Sequence, residues 1–132
     1  MSQENVEVAK QSIEAFARRD VETMRTLNDA EVELDWTASR GVEAARYRGF
    51  DEVLRFYTGF FEAFEEIVFD ELSFIDAGEL IIAPNVSRSR GRDGIEVFAR
   101  SAIVFTVNDR KITRVCLHQS TEQALESVGL AE

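Results

Sequence analysis

Apolar residues in the first part of the chain recur every three to four positions. Val6, Ala9, Ile13, Phe16 and Ala17 make one stripe, which predicts a helix over 4–19. Asp20 can cap a second short helix over 21–28, with Val21, Met24 and Leu27 facing in. The period then drops to two. In AEVELDW, Val32, Leu34 and Trp36 alternate with Glu31, Glu33 and Asp35, which predicts a strand over 31–36. A loop over 37–49, with room for a short strand near Tyr47, leads to a third helix over about 51–65, started at Gly49 or Asp51. Its apolar positions are Val53, Leu54, Tyr57, Phe60, Phe61 and Phe64.

Beyond residue 65 the pattern is that of strands. EIVFDELSFIDAG, ELIIAPNVSRSRG, GIEVFARSAIVFTVND and KITRVCLHQS are separated by the turn signals AGE, GRDG and NDR, the arrangement of an antiparallel meander. A last helix, TEQALESVGL, has Thr121 as its expected cap and Gly129 as its stop. Helices first and hairpin-linked strands afterwards predict an α+β fold, with helices on one face of a curved sheet. In SAIVFTV, Ser101, Ile103, Phe105 and Val107 point one way and Ala102, Val104 and Thr106 the other. Both sides are largely apolar, so both need a cover. The helices supply one, and a second subunit is the expected cover for the other, giving a homodimer through the sheet.

Composition narrows the classes. The 132 residues suit one domain with one core, spanning 1–132. The net charge of −10 is concentrated early: residues 1–79 carry 19 acids against 8 bases. Such a surface argues against nucleic acid as a partner. The one basic concentration, Arg88, Arg90 and Arg92 in RSRGR, is expected to be the solvated end of a hairpin, with an anion site as the lesser alternative. No run of 18 apolar residues is present, so no membrane span is expected. The start, MSQENVEVAK, lacks the basic and apolar segments of a secretion signal, and Cys116 is the only cysteine. Together these predict a cytoplasmic setting. With one histidine, His118, and no HxxxH or CxxC spacing, no metal and no cofactor are expected. Cys116 is read as a small buried apolar residue.

The element order now resembles the NTF2-like superfamily, and within it the SnoaL-like group. The likeness is carried by AFARRDVETMRTLNDAEVELDW, YRGFDEVLRFYTGFFEAF, the RSRGRDGIEV hairpin, SAIVFTVNDRKITRV and the tail TEQALESVGL. The resemblance implies a cone: a strongly bent sheet wraps the helices and leaves a deep, mostly apolar cavity. Similar proteins include ketosteroid isomerases, polyketide cyclases, epoxide hydrolases, dehydratases and non-catalytic partners such as nuclear transport factor 2, so the fold does not give the function.

The isomerase and cyclase members move protons beside a carbonyl, which takes a carboxylate base in the cavity and donors for the enolate oxygen. Asp35 is the position the resemblance offers as base. Strand parity opposes it, because burying Glu31, Glu33 and Asp35 costs far more than burying Val32, Leu34 and Trp36. The expectation is Trp36 toward the cavity and Asp35 toward water, unless a bulge at Leu34–Asp35 turns the acid inward. The family's tyrosine donor falls at Ser12 or Ile13, its second acid at Ile103, and the cyclase acid near Leu117. None of these has the required chemistry. Trp36, Tyr57, Asn85, Ser101, Ile103 and Phe105 are the expected ligand-binding residues, with Gln119 reaching inward and Tyr47 at the cavity mouth. His118 shares the parity of Cys116 and is expected on the opposite face.

Three readings of function remain. The first is a SnoaL-like protein whose cavity binds a small hydrophobic or aromatic molecule. The second is an isomerase, cyclase or dehydratase with Asp35 as base and Tyr57 or Trp36 as donor. The third is a structural or partner-binding dimer.

Overall fold

A computed structural model describes residues 2–39 and 44–129. Helix α1 (Ser2–Arg18) buries Val8, Ala9, Ile13 and Ala15 on one face; Ala9 and Ile13 lie as expected, while Ala17, expected inside, is exposed. Helix α2 (Val21–Leu27) starts at Asp20, whose carboxylate accepts from the Thr23 amide, the expected cap. Strand β1 (Asn28–Asp35) follows at once, and β2 (Arg46–Arg48) is the short strand expected at Tyr47. Gly49 joins β2 to helix α3 (Phe50–Ala63) at φ +86° and donates its amide to the Val32 carbonyl at 2.8 Å. A side chain there would strain this left-handed backbone.

Strands β3 (Phe64–Leu72), β4 (Ile75–Ala77), β5 (Leu80–Gly91), β6 (Glu96–Asn108) and β7 (Lys111–His118) complete the sheet, and α4 (Thr121–Ser127) ends the described chain. The strand order is β2-β1-β7-β6-β5-β3, with β4 also on β5. The β3-β5-β6-β7 run is the expected meander. The exception is β1, which lies parallel to β7 and so joins the two ends of the fold. A strand following two helices cannot reach β7 by a hairpin, which is why turn signals did not reveal this pairing. Four helices and an unclosed, mainly antiparallel sheet make the α+β cone.

Parity along β1 holds: Val32 and Leu34 are fully buried in the main core, against α3 and the inner face of the sheet. Each such side chain is worth about 1.5–3 kcal/mol on burial. The other face of the sheet carries a cover within the chain. Ile82, Ala102, Val104 and Cys116 form a second buried cluster, and Ala124 with Leu125 and Val128 covers it. Helix α4 thus covers this part of that face from within the chain. The helix cap also shifts by one residue: Ser120, not Thr121, accepts from the Gln123 amide, at 3.1 Å. Gly129 follows at φ +77°, as a stop should.

The RSRGR arginines are committed within the hairpin's surroundings. Arg88 forks onto Asp70 at 3.0 and 3.2 Å, and Arg90 pairs with Glu65 and Glu66. Arg92 donates to the Glu62 and Phe61 carbonyls, and Arg19 donates to those of Phe61, Phe64 and Glu65. Two guanidinium groups thus serve the open carbonyls at the end of α3. The cluster pins the hairpin to β3 and α3, which leaves little for an external anion.

Candidate functional site: the cavity of the cone

Between α1, α3 and the inner face of the sheet lies a cavity of about 460 Å³. Its position follows from side-chain size. Helix α3 presents Phe56 and Phe60 four residues apart, Phe64 follows at the start of β3, and α1 adds Phe16. These rings hold one another edge-on: Phe56 and Phe60 have centroids 5.1 Å apart, as do Phe16 and Tyr57. Rigid rings meeting edge-on prop the helices off the sheet instead of collapsing onto it. Eight aromatic residues line the space.

All six residues expected at the site line this cavity: Trp36, Tyr57, Asn85, Ser101, Ile103 and Phe105. Trp36 lies edge-on to Phe56 at 5.3 Å. Asn85 and Ser101 are cross-strand partners on β5 and β6. The Ser101 hydroxyl donates to Asn85 Oδ1 at 3.3 Å, and Asn85 Nδ2 donates to the Ala83 carbonyl at 3.0 Å. One Nδ2 hydrogen therefore stays uncommitted. Gln119 also lines the cavity and ties down the neighbouring loop by donating to the Ala38 carbonyl at 2.6 Å. Tyr47 is not part of the lining; it packs on Phe56 at 4.7 Å. Burial drives the Tyr57 phenol far above its ordinary range, so it stays protonated and can only be a neutral donor or acceptor. Among the described residues nothing pairs with its hydroxyl.

Asp35 stands on the other side of the sheet. The irregularity in β1 falls between Asn28 and Glu33, so Leu34 and Asp35 keep their strand parity. The expectation of a solvated carboxylate is corrected, however: Asp35 is only 8% exposed. The flanking strands β2 and β7 enclose it. It accepts from the Thr37 amide at 3.0 Å and hydroxyl at 2.6 Å, from Arg46 at 3.4 Å and from Arg114 at 3.1 Å. Burial alone would push its pKa up, but the Thr37 hydrogen bonds and then Arg46 outweigh it, and the carboxyl is held below its ordinary range. A carboxylate stabilised in this way is a weak base. It fastens β1 to β2 and β7.

His118 and Cys116 share that outer face. Burial, then the Arg114 charge, lowers the His118 pKa, while burial raises that of the Cys116 thiol. Both are neutral near pH 7. Among the described residues no group of three or more His, Cys, Asp or Glu could hold a metal, and no helix is long and apolar enough to cross a membrane.

Sequence reasoning missed Ser12, Phe16, Phe56, Phe60, Phe64 and Phe69 as lining residues. The signal existed in the four-residue phenylalanine step on α3, but a buried aromatic stripe reads equally as closed core.

A bent sheet around helices, with an aromatic hollow between them, defines a class that the comparisons specify further. Residues 9–115 match the model of the SnoaL-like domain, and the chain belongs to that family. An NTF2-like protein from Burkholderia xenovorans superposes with a TM-score of 0.77 at 20% identity, covering 89% of this chain and 90% of that one. A candidate polyketide cyclase from Xanthomonas campestris pv. campestris gives 0.77 at 19%, covering 96% and 98%. TerC, crystallised with polyporic acid, gives 0.76 at 18%, covering 93% and 96%. At these identities the likeness establishes the fold alone. No protein of curated function matches the sequence.

Proposed function

We propose that this protein binds a neutral, largely apolar small molecule in the cavity of its cone, one that carries one or two oxygen functions on a flat hydrocarbon body. The observation behind this reading is the character of the lining. Eight aromatic side chains face the hollow, and among the described residues neither a carboxylate nor a histidine does. Burying a ligand charge here would go uncompensated. Arg100, the one charged lining residue, is exposed at the rim. The lining's other polar side chains, among them the Tyr57, Ser12 and Ser101 hydroxyls and the Asn85 amide, are neutral and suited to a carbonyl or hydroxyl oxygen. Proton abstraction beside a carbonyl, the alternative activity, lacks its base here: Asp35 is behind the sheet and held ionised by its own partners.

Trp36, the only tryptophan, lies in the lining and reports occupancy directly. Titration with naphthols, hydroxyanthraquinones and steroid ketones should change its fluorescence saturably and raise the melting temperature. Carboxylated analogues of the same skeletons should bind at least about tenfold more weakly, since a charge must be stripped of water. Tighter binding of the carboxylates, or no saturable response to any neutral compound, refutes the reading.

A further inference from the structure

A second cleft, of about 550 Å³, opens where the end of α2, the start of β1 and the first turn of α3 meet. None of its lining residues belongs to the cone cavity. One side of it is rich in donors. An α-helix leaves its first N–H groups without intrahelical acceptors. Helix α3 begins at Gly49, which has no side chain to cap them. The amides of Phe50, Asp51 and Glu52 are thus left open, and all three residues line the cleft. The acids of that turn are already engaged: Asp51 pairs with Arg25 at 3.4 Å, and Glu52 accepts from the Arg48 amide at 3.0 Å. Arg55, one turn on, lines the same cleft; it is exposed and forms no ion pair among the described residues.

Asn28 supplies the opposite chemistry. It is only 7% exposed, one of three buried polar or charged residues in the described chain. Its Nδ2 donates to the Met24 carbonyl at 2.7 Å, which fixes the orientation of the amide. Its Oδ1 accepts from no described group. Among the described residues no side-chain polar atom is both sealed off and unpaired. The Asn28 oxygen therefore opens on the cleft that Asn28 lines. A carbonyl so deeply placed calls for a donor from outside the chain. Glu31 lines the cleft as well, and its exposed carboxylate meets no cation among the described residues. Arg55 and Glu31 thus face one cleft without pairing with each other.

We propose that this cleft binds a free α-amino acid as its zwitterion. The carboxylate docks on the open amides of α3 and on Arg55, as anions do at helix N-termini. The ammonium donates to Asn28 Oδ1, with the Glu31 carboxylate beside it. Spacing selects an α-amino acid. A Cβ at Gly49 would stand 3.8 Å from the Ala30 carbonyl oxygen, so the start of α3 lies directly against β1. Asn28 is two residues back along β1, about 7 Å. Two hydrogen bonds of about 2.9 Å take up most of that span. Carboxylate and ammonium must then share one carbon and not sit at the two ends of a longer chain. This proposal stands independently of what the cone cavity binds.

Amide NMR of the full chain, titrated with the neutral L-amino acids to about 10 mM each, tests it. At least one should shift the Phe50, Asp51 and Glu52 amides and the Asn28 side-chain amide saturably. Its N-acetyl derivative lacks the ammonium and its α-carboxamide lacks the carboxylate, so each should bind about tenfold more weakly or worse. Arg55→Gln and Glu31→Gln should each weaken the amino acid by about two- to fivefold. Neither side chain has an ion-pair partner among the described residues, so both variants should fold as wild type does. Asn28→Leu should abolish binding. It also removes the bond to Met24, so its melting temperature is followed, and the other two variants stand without it. Trp36 fluorescence should not change, since that residue lines the other cavity. The proposal is overturned if no neutral amino acid gives saturable shifts, or if the N-acetyl derivative binds equally well. Undiminished affinity in either Arg55→Gln or Glu31→Gln overturns it too, as do shifts centred on the cone cavity.

Discussion

Asp35 and Trp36 are adjacent in the chain and leave β1 on opposite sides of the sheet. The carboxylate is locked to Thr37, Arg46 and Arg114, while the indole lies against Phe56 in the wall of the cavity. One peptide step thus separates the polar fastening of three strands from the apolar hollow, and the two residues should respond independently to substitution.

Asp35→Asn tests the first half. The amide can still accept from Thr37, but it gives up the charge that balances Arg46 and Arg114. Both arginines reach solvent, at 77% and 43% side-chain exposure, so the loss should be moderate, about 1–2 kcal/mol in denaturant unfolding near neutral pH. The folded-state pKa of Asp35 lies below its ordinary value of 3.8. Its contribution is therefore fully present above that value and is lost as pH falls through the lower folded-state one. The gap between wild type and variant should accordingly close on acidification below about pH 4. Ligand affinity should not change. A loss of binding without a loss of stability would return Asp35 to the site.

Tyr57→Phe should behave in the opposite way. The hydroxyl has no partner among the described residues and the ring packs on Phe16 and Phe56. Phenylalanine keeps those ring contacts, so stability should change by less than about 0.5 kcal/mol. Affinity for an oxygenated aromatic should fall by about three- to thirtyfold, and that for its deoxygenated analogue should not fall. Trp36 fluorescence titration of both compounds measures the difference. Equal losses for the two would mean that the hydroxyl makes no ligand hydrogen bond.

The legible parts of this fold were those with a local cause. Helix periodicity located α1 and α3, Asp20 marked α2, and alternation in AEVELDW fixed which face of β1 enters the core. Parity in β5 and β6 likewise pointed Asn85, Ser101, Ile103 and Phe105 to one side. The illegible parts depend on partners distant in sequence. The flanks that bury Asp35 come from β2 and from β7, the latter 79 residues away at Arg114. Nothing local marks an outward carboxylate as buried. The cover over Val104 and Cys116 is α4, and sequence alone does not distinguish an intramolecular lid from a second subunit. Whether the phenylalanine stripe closes or encloses space depends on the curvature of the sheet, which no single segment encodes.

The lid itself is open to test through the one cysteine. Helix α4 has seven residues and begins at Ser120, whose hydroxyl satisfies the Gln123 amide. So short a helix has little stability of its own and is held by its cap and by Ala124 over the outer cluster. Ser120→Ala should cost about 1 kcal/mol of local stability. That cost should appear as more frequent opening of α4, while the core built by α1, α3 and the sheet is left intact. Cys116 lies beneath, with its thiol pKa raised by burial. Its reaction with an aromatic disulfide reagent near pH 8 should accelerate about fivefold in Ser120→Ala, with little change in melting temperature. Ser120→Asp, which restores an acceptor at the cap, should return the rate to that of wild type. If Cys116 reacts equally fast in all three proteins, α4 does not gate it, and the outer cluster opens by another route.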